Sequence, residues 1–178
     1  MEFKDSRTFA NLMAAFAGES QARNKYTFYA EKAREDGYCQ IAEFFEETAA
    51  NECAHAKIWF DFINSGKSPT KDNLKDAAGG EHYEWTEMYA EFQKVAQEEG
   101  YNEIAALFGL VANIEKEHEE RFNKLKENIE NGSVFSKTSS TVWICMRCGH
   151  IVVGEKPPVI CPVCKHPQSH FKEKESNY

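Results

Sequence analysis

The chain has 178 residues, 42% of them hydrophobic, and a formal net charge of −8. That hydrophobic share is enough for a globular core, while the acidic balance, with no basic block, argues against nucleic acid or an anionic membrane as partner. No apolar run approaches the ~18 residues of a spanning helix, and Met1-Glu2-Phe3-Lys4-Asp5 lacks the apolar stretch of a secretory leader.

Asp5-Ser6 is a good helix N-cap. The stripe Phe9, Leu12, Phe16, Glu19, Ala22, Tyr26, Tyr29 and Ala33 advances in steps of three and four and predicts a first amphipathic helix of ~30 residues. Gly37 can end it. A second helix runs to about Ile63 with the seam Ile41, Phe45, Thr48, Glu52, His55, Trp59 and Phe62. Asn64 to Pro69 breaks it, and the polar stretch to about Asp72 reads as a crossover loop. A third helix is expected from about Lys75 to Glu99, ended by Gly100. The fourth carries Ile104, Phe108, Val111, Glu115, His118, Phe122, Leu125 and Ile129 and stops near Gly132. Two tight glycine turns and a longer middle connection predict two antiparallel pairs joined in the ferritin-like manner, a four-helix bundle over residues 1–132. Residues 133–141 form a Ser/Thr-rich linker. Residues 142–178 form a small β-rich module, too short for an independent core without a metal.

The bundle contains an internal duplication. Glu52-x-x-His55 recurs as Glu115-x-x-His118 at an offset of 63 residues, as do Gly37-Tyr38 and Gly100-Tyr101, Phe45 and Phe108, and Tyr26 and Tyr89. A carboxylate and an imidazole three residues apart leave one helix face together. A lone pair of this kind is weak evidence, since glutamate is common here and usually solvated. On a seam between aromatic residues, however, an unpaired carboxylate costs several kcal/mol and calls for a proton or a cation. Two such pairs in equivalent places therefore predict a shared cation site. Glu19 on the first helix and Glu81, Glu84 or Glu87 on the third are the further candidates. Helical phase does not choose among the three, because the strict offset pairs Glu19 with His82. Five carboxylates and two imidazoles suit iron or manganese. With Glu52 and Glu115 bridging, two ions would stand ~3.5–4 Å apart, the arrangement of di-iron carboxylate bundles.

Cys145-x-x-Cys148-Gly149 and Cys161-x-x-Cys164 are two knuckles whose four thiolates make a tetrahedral site for iron or zinc. Cys39 and Cys53 stand alone, Cys53 most simply as a passive thiol. The CxxC pattern fits a reducing compartment, so the expected location is cytoplasmic.

Both sites in this order resemble rubrerythrin. The resemblance rests on Ala17-Gly18-Glu19-Ser20-Gln21-Ala22-Arg23-Asn24, the two Glu-x-x-His pairs, Gly80-Glu81-His82-Tyr83-Glu84-Trp85-Thr86-Glu87-Met88-Tyr89, Arg121-Phe122 and the paired CxxC. It implies di-iron ligands at Glu19, Glu52, His55, Glu84, Glu87, Glu115 and His118, with Glu81 left outside, and a rubredoxin-type iron on Cys145, Cys148, Cys161 and Cys164. In such proteins the carboxylate at Glu87 and the imidazole at His55 are thought to exchange at one iron as the redox state changes. Tyr26 and Tyr89, on inner faces, either hydrogen-bond a ligand carboxylate or simply pack.

The implied activity is that of a non-haem di-iron peroxidase reducing hydrogen peroxide to water in oxidative-stress defence. Electrons would pass through the four-cysteine iron from rubredoxin or an NAD(P)H-dependent reductase, within a head-to-tail homodimer. The alternatives are a ferritin-like protein that oxidises and sequesters iron, which has no use for an electron inlet of its own, and a redox-silent protein with zinc on the cysteines.

Overall fold

The computed structural model describes residues 2–66 and 68–175. The chain divides into two compact units, Met1–Ser68 and Pro69–Tyr178.

The first unit is a helical hairpin. After a 3-10 turn at Phe3–Asp5, α1 spans Arg7–Glu35 and α2 spans Cys39–Ile63. Ser6 is the N-cap, its hydroxyl accepting from the Phe9 amide at 3.1 Å. Gly37, at φ +84°, lets the Tyr38 amide reach back to the Ala33 carbonyl (2.7 Å) and close α1. Small residues make the closest approaches in the hairpin: Ala30, Ala33 and Ala42 pack as one buried cluster, with Phe45 against it.

The second unit opens with another hairpin, built alike. α3 spans Thr70–Tyr83, a π-helical turn covers Glu84–Met88, α4 spans Tyr89–Glu98, and α5 spans Asn102–Glu130. Gly100 (φ +86°) repeats Gly37, with Tyr101 N donating to Ala96 O at 2.8 Å. Ala96 and Ala105 are buried at the offset of 63 from Ala33 and Ala42. The aromatic contacts repeat too: Tyr29 to Phe45 and Phe92 to Phe108 each have ring centroids 5.6 Å apart.

Two expectations need correction. The third helix begins at Thr70, not near Lys75, with Asp72 in its first turn, where a carboxylate favours the positive end of the helix dipole. Only Asn64 to Pro69 therefore separates α2 from α3. The apolar seam is also divided differently. Ile41 and Phe62, expected on the inner face, are 48% and 61% exposed, because the hairpin contact is made by alanines.

The module at the end of the second unit is a three-stranded antiparallel sheet in the order β2-β1-β3, with β1 at Thr141–Cys145, β2 at Ile151–Gly154 and β3 at Phe171–Glu173. Its core is Trp143, Cys145, Cys161 and Phe171, packed with Val152 and Cys164. The Trp143 indole N–H donates to the Gly154 carbonyl at 2.9 Å. So small a core needs the crosslink its cysteines can provide.

Candidate metal centres

In the first unit α1 presents Glu19 and α2 presents Glu52 and His55. One ligand atom of each lies within 4.8 Å of the others. His55 Nδ1 is 2.9 Å from Glu52 Oε2 and 3.9 Å from Glu19 Oε1. A hydrogen bond from Glu19, then one from His55, holds the Glu52 carboxyl below the usual range against its partial burial.

The second unit repeats this geometry with Glu81, Glu115 and His118. His118 Nδ1 is 2.7 Å from Glu115 Oε2 and 3.9 Å from Glu81 Oε1. Glu81 is thus the counterpart of Glu19, although the resemblance leaves it outside the ligand set. Burial, then the charge of Glu115, raises its carboxyl above the ordinary range, His118 opposing and Glu84 adding to the rise. Glu84 therefore borders the cluster without being one of its three close ligands. Glu87 is exposed and is not among the grouped ligands. Tyr89 faces the same carboxylates: burial and the charges of Glu84, Glu115 and Glu81 all raise its phenol.

The π turn explains why phase misleads here. A π turn is one residue inserted into an α-helix. Before it the two halves match at an offset of 62, Gly18-Glu19 with Gly80-Glu81; after it they match at 63, Tyr26 with Tyr89. The strict offset of 63 carries Glu19 past Glu81 to His82. The change of offset between these dipeptides is the signal that could have identified Glu81.

Beside this cluster His82 Nδ1 lies 3.1 Å from Glu119 Oε2, and the Trp85 indole donates to the same oxygen at 2.6 Å. The Trp85 bond, then His82, lowers the Glu119 carboxyl in spite of its burial.

The four cysteines of the module converge as expected. Sγ of Cys145 and Cys164 are 3.7 Å apart, as are those of Cys148 and Cys161. A tetrahedral ion with metal–sulfur bonds of ~2.3 Å has sulfur–sulfur edges of about 3.8 Å, so the spacing fits. The two knuckles share one backbone form. The Cys145 and Cys161 amides each donate at 2.9 Å, to His150 O and His166 O, and Gly149 (φ +76°) and Lys165 (φ +63°) take the left-handed position. The sequence pattern marks only Gly149. Burial works against thiolates at Cys145 and Cys161, but backbone amides (Cys148 and Arg147; Cys164 and Val163) and neighbouring thiols outweigh it, bringing Cys161 to about 7. At Cys148 an amide hydrogen bond from His150 favours the thiolate. Burial and the three surrounding sulfurs outweigh it and push the thiol up to about 12. Four thiolates can share this space only around a cation.

The rubrerythrin family model matches residues 10–126, and the rubrerythrin rubredoxin-like domain matches residues 143–172. The chain belongs to the rubrerythrin family. It is 46% identical to Rubrerythrin-1 of Clostridium acetobutylicum over 98% of both chains. It is 44% identical to the rubrerythrin of Porphyromonas gingivalis, over 98% of this chain and 94% of that one. It is also 35% identical to nigerythrin of Nitratidesulfovibrio vulgaris, over 92% of this chain and 85% of that one. Among solved structures, partially reduced nigerythrin matches with 32% identity and a TM-score of 0.37 over 97% of this chain and 91% of that one. As a rubrerythrin-family protein the chain is mainly α, with a ferritin-like domain followed by a rubredoxin-like four-cysteine domain. Its cofactors are a di-iron site in the ferritin-like domain and an iron on the four cysteines, in a family of oxidoreductases associated with iron binding and oxidative stress. No helix among the described residues is long and apolar enough to cross a membrane.

Proposed function

We propose that this chain reduces hydrogen peroxide to water, taking two electrons and two protons per peroxide, and that it is recharged through its own four-cysteine centre. The observation that carries the reading is that one chain holds both kinds of site: carboxylate–imidazole clusters suited to a pair of hard or borderline ions, and a tetrathiolate suited to a one-electron iron. The carboxylate–imidazole clusters would hold a pair of ferrous ions, whose chemistry would be the joint supply of the two electrons that O–O cleavage requires, and the four cysteines would hold an iron suited to one-electron delivery.

The protein residues have separable roles. Glu19, Glu52 and His55 on the first hairpin, and Glu81, Glu115 and His118 on the second, would hold the ions. Glu81 enters this set on its geometry. Glu84, beside it, is the extra carboxylate, and the part expected of Glu87, including redox-linked exchange with His55, is better suited to a carboxylate that borders the cluster. Tyr89 keeps its proton among three carboxylates and can hold it ready for a departing oxygen. Residues 1–132 make up the di-iron part, 133–141 the linker and 142–178 the electron inlet. The donor is rubredoxin or an NAD(P)H-dependent reductase, the location is cytoplasmic, and a head-to-tail homodimer brings one copy's tetrathiolate centre to the other's iron pair.

The decisive test is stopped-flow oxidation of fully reduced, iron-loaded protein. One equivalent of hydrogen peroxide should oxidise the pair far faster than dissolved oxygen does. Oxygen reacting as fast as peroxide, with iron accumulating as a mineral, would favour iron sequestration instead.

A further inference from the structure

We propose that Glu119 is a positioning residue for the di-iron site: by gripping Trp85 and His82 it locks α3 and its π turn against α5 at the rotation that brings Glu81 to Glu115 and His118. The proposal rests on the di-iron reading above.

One oxygen of Glu119 holds two residues of the facing segment. The Trp85 indole donates to Oε2 at 2.6 Å, and His82 Nδ1 lies 3.1 Å from the same atom. A carboxylate only accepts, so His82 carries its proton on Nδ1 in this bond. The Lys116 ammonium, one turn before Glu119 on the same side of α5, sits 5.8 Å over the Trp85 ring. Trp85 is therefore held both at its edge and on its face. Each of the four stands one residue after a group of the second cluster or its border: His82 after Glu81, Trp85 after Glu84, Lys116 after Glu115 and Glu119 after His118. They repeat the pattern of the cluster about 100° around the two helices. With this clip closed, neither helix can roll and carry its ligands away from the other.

The π turn gives the clip its purpose. The Tyr89 amide donates to the Glu84 carbonyl five residues back, a wider and rarer turn than the α-helical one. His82 lies just before that turn and Trp85 within it, so Glu119 ties both to α5. The first hairpin supplies the comparison. It has no π turn and, among the described residues, no clip. Ser20 and Arg23 stand in place of His82 and Trp85, and Cys53 and Ala56 in place of Lys116 and Glu119. The Ser20 hydroxyl donates back to the Phe16 carbonyl of its own helix at 2.7 Å, and Ala56 has no side-chain acceptor. These four residues instead line a cleft of about 320 Å³. The brace is present in the half with the inserted residue and missing from the half without it.

The test compares Glu119→Ala with Glu119→Gln in the full chain, with iron on the four cysteines and the carboxylate sites emptied by chelation. Glutamine keeps an oxygen for Trp85; alanine keeps none. Hydrogen exchange should be at least about tenfold faster at the Tyr89 amide in the alanine variant, with most of the protection kept by glutamine and α2 unchanged in both. Titration with ferrous iron should then show the second iron bound about tenfold more weakly by the alanine variant, and glutamine should restore most of the affinity. In a Glu81→Ala background Glu119→Ala should add less than about a twofold loss, because it acts through that ligand. Trp85→Phe, which keeps a ring under Lys116 and removes only the indole donor, should behave like the alanine variant and serves if Glu119→Ala does not fold. Unchanged exchange at Tyr89, unchanged affinity for the second iron, or losses that add to those of Glu81→Ala would overturn the proposal. Wild type that takes up no iron pair would instead sink the di-iron reading, and the exchange measurement, made without that iron, would still decide the clip.

Discussion

Glu81 stands to His118 as Glu19 stands to His55, with 3.9 Å between carboxylate oxygen and Nδ1 in each pair, although the sequence spacing of the two glutamates is one residue short of the spacing of the two histidines. The geometry, more than the alignment of motifs, therefore ranks the glutamates of the third helix. Glu81→Ala should lower affinity for the second iron at least about tenfold, or ~1.4 kcal/mol, and Glu87→Ala should change it far less. Iron titration of the apo-protein, read by metal analysis, checks the order; equal losses would return Glu87 to the ligand set.

The inserted residue can be removed. Deleting Thr86 should turn the π segment into regular α-helix and rotate Glu81 by about 100° relative to Tyr89 and the rest of α4. Circular dichroism should show helix content nearly unchanged, while paired iron is lost. Full iron loading of the deletion variant would show that the bulge does not set the position of Glu81.

If the tetrathiolate centre is the electron inlet, Cys161→Ser with Cys164→Ser should abolish steady-state peroxide turnover driven by a reductase and leave a single turnover of pre-reduced protein intact. Stopped-flow and steady-state assays on one preparation separate the two. Turnover that persists under reductase would rule out the relay.

Glu119 sets an acid limit on the second hairpin. Its carboxyl is depressed by the Trp85 hydrogen bond and by His82, so its stabilising contribution is present above the ordinary glutamate value and is lost as pH falls through the lower folded value. Urea midpoints of the metal-free chain, followed by the helix signal, should differ between wild type and Glu119→Gln at pH 7. That difference should shrink in acid; one that grows on acidification contradicts the assignment.

The glycine turns carry a simple energetic expectation. A Cβ added at Gly100 would meet nothing within 4 Å, so Gly100→Ala tests only its left-handed backbone. The cost should be about 1 kcal/mol in urea unfolding, and Gly37→Ala should match it because the two caps are built alike.

Much of this was readable from residue order. The ends of α1, α2 and α5 follow from Ser6, Gly37, Asn64 and Gly132, since caps and left-handed glycines act locally. The four-cysteine site follows from spacing alone, because a CxxC knuckle fixes its own geometry. Glu81 stayed one of three candidates on residue order because a π turn leaves no local mark: its residues are ordinary helix formers, and only comparison of the two halves exposes the added position. The start of α3 was missed because Thr70 to Asp72 is as polar as a loop, although Asp72 suits a first helical turn. Which apolar residues are buried within a hairpin also lay beyond periodicity. Helices meeting through Ala33 and Ala42 leave Ile41 outside, and a hydrophobic stripe does not say which neighbour it awaits.

The two halves differ in one more respect. At the position matching Glu84 the first hairpin has Ala22, so the repeated halves have unequal anionic character: three acids crowd one, two the other. Identical modules would bind their ions interchangeably. These cannot, and the more acidic half should fill first when iron is scarce, giving a molecule built by repetition a fixed loading sequence.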